Sequence, residues 1–530
     1  MEFELVAGLA PHHCRQRAAG LQSAFESYGP LRWVSFVAFY AIVSNVPYWA
    51  ASRWIGLLPL GWFCLEYAVC GLIALFVPRS AAAVCFFMLV VMDLTCGVSK
   101  TYYLAPTDCF KSLRYMHEFP TARLVAVAVV GTLTLVVISI AALLQSVPLR
   151  GESRLCAAAG LLAFAAIVAS SDLITVVRES GHLPSSLHWF TGATFVDSNR
   201  SSDYHRLWAS RYPLVRLVRN ESLYGWTPID FGSLADYPSV PSATGQALQL
   251  SGIEENRSIR EMPNLVVVVV ESWGSETNLN IANALIRPYL QPELLSQYRV
   301  EQGKVRFYGS TVAAEARELC GRKLGPQIES ASAQDLQACV PSRLASLGYR
   351  SVGLHGMDQE MFRRRVWYRS LGFQEEWFRD RFRQQELPDC PGAFVGTCDA
   401  AIAEWMARRL TTESDRPDFV YWMTLNSHLP VPVPSGAETE APCVRTPLPS
   451  QSPSFCSWYR LVAKVHSSVA HIAMSNLSRP TVFVIVGDHA PPFSNSVVRS
   501  EFSSTDVPYV ILLPKVDRPL NQATARPLRQ

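Results

Sequence analysis

A five-helix transmembrane domain followed by an α/β domain with a mainly parallel sheet is the architecture this 530-residue sequence predicts. Three observations carry the expectation. The first third of the chain is apolar in blocks long enough to cross a bilayer. From Asn264 onward, short β-branched runs alternate with helical stretches, which is the sequence form of a parallel α/β sheet. In the second half, six cysteines fall in near pairs, as a disulfide framework in an oxidising compartment would. The expected division is a cytoplasmic N-terminal segment over 1–30, a transmembrane domain over 31–177, a juxtamembrane linker over 178–262 and an extracytoplasmic α/β domain over 263–530.

A spanning helix needs ~20 mostly apolar residues, because an unpaired backbone amide is costly in hydrocarbon. Five stretches qualify, approximately Trp33–Ala51, Ile55–Val77, Ala81–Val98, Leu124–Val147 and Leu155–Val177. The first begins too late to be a simple cleaved signal peptide and is expected to be retained. Lys and Arg divide almost evenly between alternate loops, so orientation rests on the cysteines. Seven of the 13 lie in the first 156 residues, mostly within spans, where a reduced thiol is a small apolar filler. Pairing the other six by proximity joins Cys320 to Cys339, Cys390 to Cys398 and Cys443 to Cys456. That framework places the C-terminal domain outside the cytoplasm, and an odd number of spans then leaves the N-terminus inside. Glu66 and Asp93 fall within spans, where an acid is either functional or a helix-end residue reaching the interface. A formal net charge of +3 and the lack of any Lys/Arg block argue against a nucleic-acid partner.

Residues 178–262 are dense in Trp, Tyr, Arg and Ser, which suits a segment lying along a membrane interface. Beyond them, Leu265–Val270, Ser351–Leu354, Phe419–Leu425, Val482–Val486 and Tyr509–Leu513 read as buried strands. Four run into polar clusters: Glu271-Ser272, His355-Gly356, Asn426-Ser427-His428 and Gly487-Asp488-His489. Ligands of open α/β sheets bind outside the carboxyl ends of the strands, so all four clusters belong on one edge. A single Glu after a strand is usually a solvated strand end, but four convergent clusters are less easily dismissed.

Glu271, Asp488 and His489 offer oxygen and nitrogen donors suited to zinc or another divalent ion. Thr311, after Gly309-Ser310 and before a helical run, supplies a hydroxyl. The ordinary reading of such a residue is a helix N-cap. The two readings are compatible, since a helix N-terminus also favours a bound phosphate.

Val270-Glu271-Ser272, Thr311, His355-Gly356, Asn426-Ser427-His428 and Gly487-Asp488-His489 together resemble, in order, a group of alkaline-phosphatase-superfamily (sulfatase-like) membrane transferases. The group includes lipoteichoic acid synthases, phosphoethanolamine transferases and periplasmic glucan phosphoglycerol transferases. The resemblance covers about the last half of the chain. It implies that Glu271, Thr311, Asp488 and His489 hold the metal, with Thr311 also the residue phosphorylated. His428 would contact the head group or leaving group. The stretch His355 to Arg364 resembles the substrate-contacting run of lipoteichoic acid synthases, with Arg364 at the phosphate-binding arginine and Phe362 where a tryptophan is usual. Thr311-x-x-x-Glu315 is similar to the nucleophile motif of that group, whereas Thr311 followed by Cys320-Gly321 looks more like the glucan enzymes.

The implied function is transfer of a phosphoglycerol or phosphoethanolamine head group to a periplasmic or surface glycan. The donor would be phosphatidylglycerol or phosphatidylethanolamine, with a slight lean to the former from the Thr311 to Cys320 spacing. The implied cofactor is zinc, with manganese or magnesium as alternatives, and the implied location is the bacterial inner membrane with a periplasmic catalytic domain. A membrane-anchored sulfatase or phosphodiesterase is an alternative, because Cys339-Val340-Pro341-Ser342-Arg343 spells the core that sulfatases convert to formylglycine. Against it, the closing Thr-Gly is absent and Glu271-Ser272 stands where sulfatases usually have paired aspartates. A non-catalytic scaffold that binds glycan or protein is the third reading.

Overall fold

The computed structural model describes residues 29–146, 149–180, 210, 211, 213, 231–255, 258–433 and 452–515. Two compact units result, Met1–Trp226 with Phe493–Ser500, and Thr227–Pro492 with Glu501–Gln530.

Among the described residues of the first unit, four helices are long and apolar enough to cross a membrane: Arg32–Ile55, Arg79–Tyr102, Thr121–Ser146 and Gly151–Asp172. The sequence led us to expect five. The missing one is the stretch Ile55–Val77, which forms a helix only over Leu65–Ala74. At ~1.5 Å per residue those ten residues reach about half the ~30 Å hydrocarbon thickness. Hydropathy alone overlooked the punctuation in Gly56-Leu57-Leu58-Pro59-Leu60-Gly61. Gly56 takes φ 84°, closing the preceding helix, and Pro59 cannot supply a helical N–H.

The carbonyls released by that break find a donor in Arg211. Its Nη1 donates to Gly61 O and Trp62 O, both at 3.1 Å, while Nε and Nη2 grip Asp93 at 2.8 and 2.6 Å. Tyr67 donates to the same carboxylate at 3.1 Å. Asp93 is therefore a buried, paired acid, and Glu66 is half-buried on the short helix.

The second unit is built on a seven-stranded sheet. Its strands are β1 (Asn264–Val270), β2 (Tyr298–Arg306), β3 (Arg350–His355), β4 (Glu375–Trp377), β5 (Asp418–Met423), β6 (Thr481–Gly487) and β7 (Asp506–Pro514). The order is β2-β7-β6-β1-β5-β3-β4. The five strands from β6 to β4 run parallel, and β7 and β2 close one edge antiparallel. β1, β5 and β6 are buried along their whole length, which is why they read as unbroken apolar runs. All five strands expected from the sequence are present. The edge strands β2 and β4 were not anticipated: β2, Tyr-Arg-Val-Glu-Gln-Gly-Lys-Val-Arg, is largely polar and exposed, and β4 has three residues.

The last part of the expected linker is folded into this unit. Ser242 caps the helix Ala243–Ser251 by accepting from Gly245 N at 3.0 Å, and Gly252 ends it at φ 60°. Most of 178–230 lies outside the described residues. Disulfides join Cys320 to Cys339 and Cys390 to Cys398 as expected. Cys456 is also disulfide-bonded, and Cys443 lies outside the described residues.

Candidate metal and nucleophile site

Because β1, β3, β5 and β6 are mutually parallel, their carboxyl ends share one edge of the sheet, and the four polar clusters leave from that edge. Glu271 follows β1 directly. Ser272 then turns the chain through φ 58°, a left-handed value that a non-glycine residue adopts only under constraint. The constraint is visible in its bonds. Ser272 N donates to Asp488 Oδ1 at 2.7 Å, its hydroxyl donates to Glu271 Oε1 at 2.8 Å, and its carbonyl accepts from Trp458 Nε1 at 3.0 Å.

Asp488 and His489 follow β6. The His489 Nδ1 donates to Ala490 O at 2.9 Å, which leaves Nε2 as the ring nitrogen turned toward the acids. Nε2 stands 3.2 Å from Asp488 Oδ2 and 3.8 Å from Glu271 Oε1. Donor atoms of Glu271, Asp488 and His489 all fall within 4.8 Å of one another, and all three residues are buried. Burial, and then the adjacent Asp488 charge, push the Glu271 carboxyl well above the ordinary range. Two buried carboxylates beside an imidazole nitrogen form a donor set that fits a divalent cation.

Thr311 is the first residue of the helix Thr311–Cys320, and Ser310 is its N-cap, without a side-chain capping bond. The hydroxyl is thus not a cap. Its Oγ1 lies 3.1 Å from Asp488 Oδ2 and 3.3 Å from Glu271 Oε2. With a single proton, it can donate to only one of them at a time.

The remaining anticipated residues surround this cluster in different ways. His355, at the end of β3, is buried with Nδ1 3.0 Å from Met423 O, and burial, then the nearby Arg364 charge, lower its pKa well below the usual value. It is neutral near pH 7. Arg364 is 2% exposed and ion-paired with Glu315. Phe362 sits at φ 53°, with its carbonyl held by Trp367 Nε1 at 2.9 Å and its ring 5.5 Å from the Arg364 guanidinium. His428 is half-buried, its Nδ1 2.8 Å from Leu429 O and its ring edge-on to Phe394.

Three supporting residues have no role assigned from the sequence. Ser427 donates to Glu271 O at 2.6 Å, tying the β5 cluster to the β1 cluster. Asp399 accepts from Leu425 N at 3.0 Å and Asn426 N at 2.8 Å, and burial raises its pKa to about 7. Arg317, fully buried, donates to Gly487 O at 2.7 Å and Asp488 O at 3.3 Å while pairing with Glu318, which in turn accepts from Thr244. No local signal marked Arg317: in the helix Thr-Val-Ala-Ala-Glu-Ala-Arg-Glu-Leu-Cys the charges at 315, 317 and 318 fall within an arc of about 160°, which an ordinary solvent face accommodates.

Fold and site together define an α/β domain with a candidate metal centre and a threonine hydroxyl beside it on the carboxyl edge of its sheet. Residues 263–528, half of the chain, match the family model described as Sulfatase, and the chain belongs to that family. Among solved structures it is similar to the lipoteichoic acid synthase LtaP from Listeria monocytogenes, at 14% identity over 52% of this chain and 72% of that one, with a TM-score of 0.36. The Streptococcus pyogenes phosphoglycerol transferase GacH, in complex with sn-glycerol-1-phosphate, is similar at 14% identity over 53% and 77%, with a TM-score of 0.35. The C-terminal periplasmic domain of EcEptC from Escherichia coli, in complex with zinc, is similar at 10% identity over 49% and 75%, with a TM-score of 0.32. No curated protein matches the sequence.

Proposed function

We propose that this protein transfers a phosphoglycerol or phosphoethanolamine head group from a membrane phospholipid to a periplasmic or surface glycan, through a phospho-threonine at Thr311. The observation that carries the reading is the Thr311 hydroxyl at a helix N-terminus, within 3.3 Å of both Glu271 and Asp488. A carboxylate there can draw off the hydroxyl proton, and the first N–H groups of the helix favour an incoming phosphate.

In the first step the Thr311 oxygen attacks the phosphorus of the lipid phosphodiester. The bond from phosphorus to the diacylglycerol oxygen breaks, and that oxygen leaves with a proton. In the second step an acceptor hydroxyl attacks the same phosphorus, the Thr311 oxygen leaves, and it recovers a proton. Glu271, Asp488, His489 and Thr311 Oγ1 would hold a divalent ion, which would acidify the hydroxyl and offset charge on the phosphoryl oxygens; the imidazole donor favours zinc over manganese or magnesium. Arg364 would hold a phosphoryl oxygen, neutral His355 and Phe362 would line the head-group position, and His428 would contact the head group or the leaving oxygen.

Hydrolysis of sulfate esters is the weaker reading. Formylglycine is made from a free thiol, and Cys339 is bonded to Cys320. The same disulfides support a domain facing an oxidising compartment, the periplasm of a bacterial inner-membrane protein. The apolar helices support a lipid donor within reach of the bilayer.

The test incubates detergent-solubilised, zinc-loaded protein with phosphatidylglycerol or phosphatidylethanolamine and measures diacylglycerol, for wild type and Thr311→Ala. Release from one lipid, abolished by Thr311→Ala, is the expected result. Silence with both lipids from folded, metal-loaded protein would sink the proposal, as would turnover that survives loss of the threonine.

A further inference from the structure

Glu315 lies four residues beyond Thr311 on the same helix, and i and i+4 share a face. Its side chain is fully buried. Oε2 accepts from Arg364 Nε at 3.1 Å and Nη2 at 2.9 Å, while Oε1 accepts from the hydroxyls of Tyr368 at 2.6 Å and Tyr421 at 3.3 Å. Donors from the helix Arg364–Ser370 and from β5 thus converge on one carboxylate. Stability is a poor account of this cluster, because well-packed apolar residues usually serve a core at least as well as a buried ion pair.

What the cluster does achieve is geometric. A guanidinium presents its N–H groups in a rigid fork, and Glu315 commits Nε and Nη2, leaving Nη1 as the nitrogen not bound to the carboxylate. The approach to Arg364 is constrained as well. Phe362 and Arg363 are both left-handed, at φ 53° and 50°, a pairing that non-glycine residues sustain only when their surroundings enforce it. Glu315 lies about 6 Å of axial rise from Thr311, so the guanidinium it holds is tied to the helix that carries the Thr311 hydroxyl.

We infer that Glu315 is a positioning residue, which orients the Arg364 guanidinium so that Nη1 meets an oxygen of the phosphoryl group attacked by Thr311. One turn of one helix then sets both the nucleophile and the anion-holding nitrogen. The inference rests on the phosphoryl-transfer reading of the Thr311 site, but not on the lipid donor.

The experiment uses full-length, zinc-loaded protein carrying Thr311→Ala and titrates it with sn-glycerol 1-phosphate by calorimetry. In that background Glu315→Gln is expected to weaken binding by about tenfold, the scale of one lost hydrogen bond to a charged group. Arg364→Gln should do the same, and the double variant should bind no more weakly than Arg364→Gln alone. Glu315→Asp keeps the charge and withdraws the carboxylate by one methylene; it is the variant to read if Glu315→Gln does not fold, and it should show a smaller loss. In Arg364→Ala, added guanidinium ion should restore binding only while Glu315 is present, a dependence that a merely structural residue would not produce.

Folded Glu315 variants that bind as tightly as their parent would overturn the inference. So would losses from Glu315 and Arg364 that multiply, guanidinium rescue that is indifferent to Glu315, or a parent that binds no glycerol phosphate. Glu315-dependent binding in a protein that releases no diacylglycerol would refute the lipid donor and leave the positioning role standing.

Discussion

Replacing Gly487 by alanine adds one methyl group at the last residue of β6, directly before Asp488. The φ of Gly487 is not in the left-handed region, so the effect is purely steric. A Cβ there would fall onto the carbonyl oxygen of Trp273, with the carbonyl carbon at 3.0 Å and Val507 Cβ at 3.2 Å. Backbone is the obstacle, and it cannot swing aside as a side-chain tip would. Either the turn Ser272–Trp273 or the end of β6 must move by roughly 1 Å or more to restore ordinary contact. Ser272 is the residue that joins Glu271 to Asp488, so either movement pulls two of the proposed metal donors apart. Overpacking of this kind costs about 1–3 kcal/mol in stability, and a displacement of about 1 Å at a reacting centre can cost ~100-fold in rate. On the proposed function, we therefore expect Gly487→Ala to remain folded with a lowered melting temperature, while zinc affinity and the proposed head-group turnover both fall by more than the stability loss explains. Zinc titration beside a thermal melt is the assay. An alanine variant with wild-type zinc affinity would refute the claim that this close approach sets the metal geometry.

Two further outcomes follow from groups away from Thr311. Burial raises the Glu276 carboxyl from 4.5 to about 8, only slightly offset by its own backbone N–H and by Lys304. An acid whose folded pKa is raised contributes stability fully below its unfolded pKa and loses it as pH rises through the folded value, here between about 4.5 and 8 at up to ~1.4 kcal/mol per pH unit. Glu276→Gln should therefore melt like wild type at pH 5 and above it at pH 9; parallel melting curves across that range would contradict the assignment. The Cys320–Cys339 bridge closes a loop of 19 residues, for which chain entropy predicts ~3 kcal/mol. Cys339→Ser should lower the denaturant midpoint accordingly, and an unchanged midpoint would show that the bridge does not constrain the unfolded chain.

Much of the site was legible because its signals are local. No coordinates are needed to see that Leu265–Val270, Phe419–Leu425 and Val482–Val486 are nearly unbroken apolar runs leading into Glu271, Asn426-Ser427-His428 and Asp488-His489. The parallel-sheet rule then brings those ends together on one edge. The near pairs of cysteines likewise anticipated two bridges, since short loops are the cheapest to close.

What the tertiary structure alone decided is the set of pairings between residues far apart in the chain. Hydropathy averages over a window, so Gly56, Pro59 and Gly61 were absorbed into a span that the backbone does not form, and nothing in the sequence joined Asp93 to an arginine at 211. Thr311 was identified as a possible cap, but that its hydroxyl faces two carboxylates depends on how the helix is docked against β1 and β6. The partners Glu315 with Arg364 and Arg317 with Asp488 are separated by 49 and 171 residues. Propensity and periodicity report how a segment meets its immediate neighbours; which buried charge answers which is settled only when desolvation forces each one to find a partner in the packed chain.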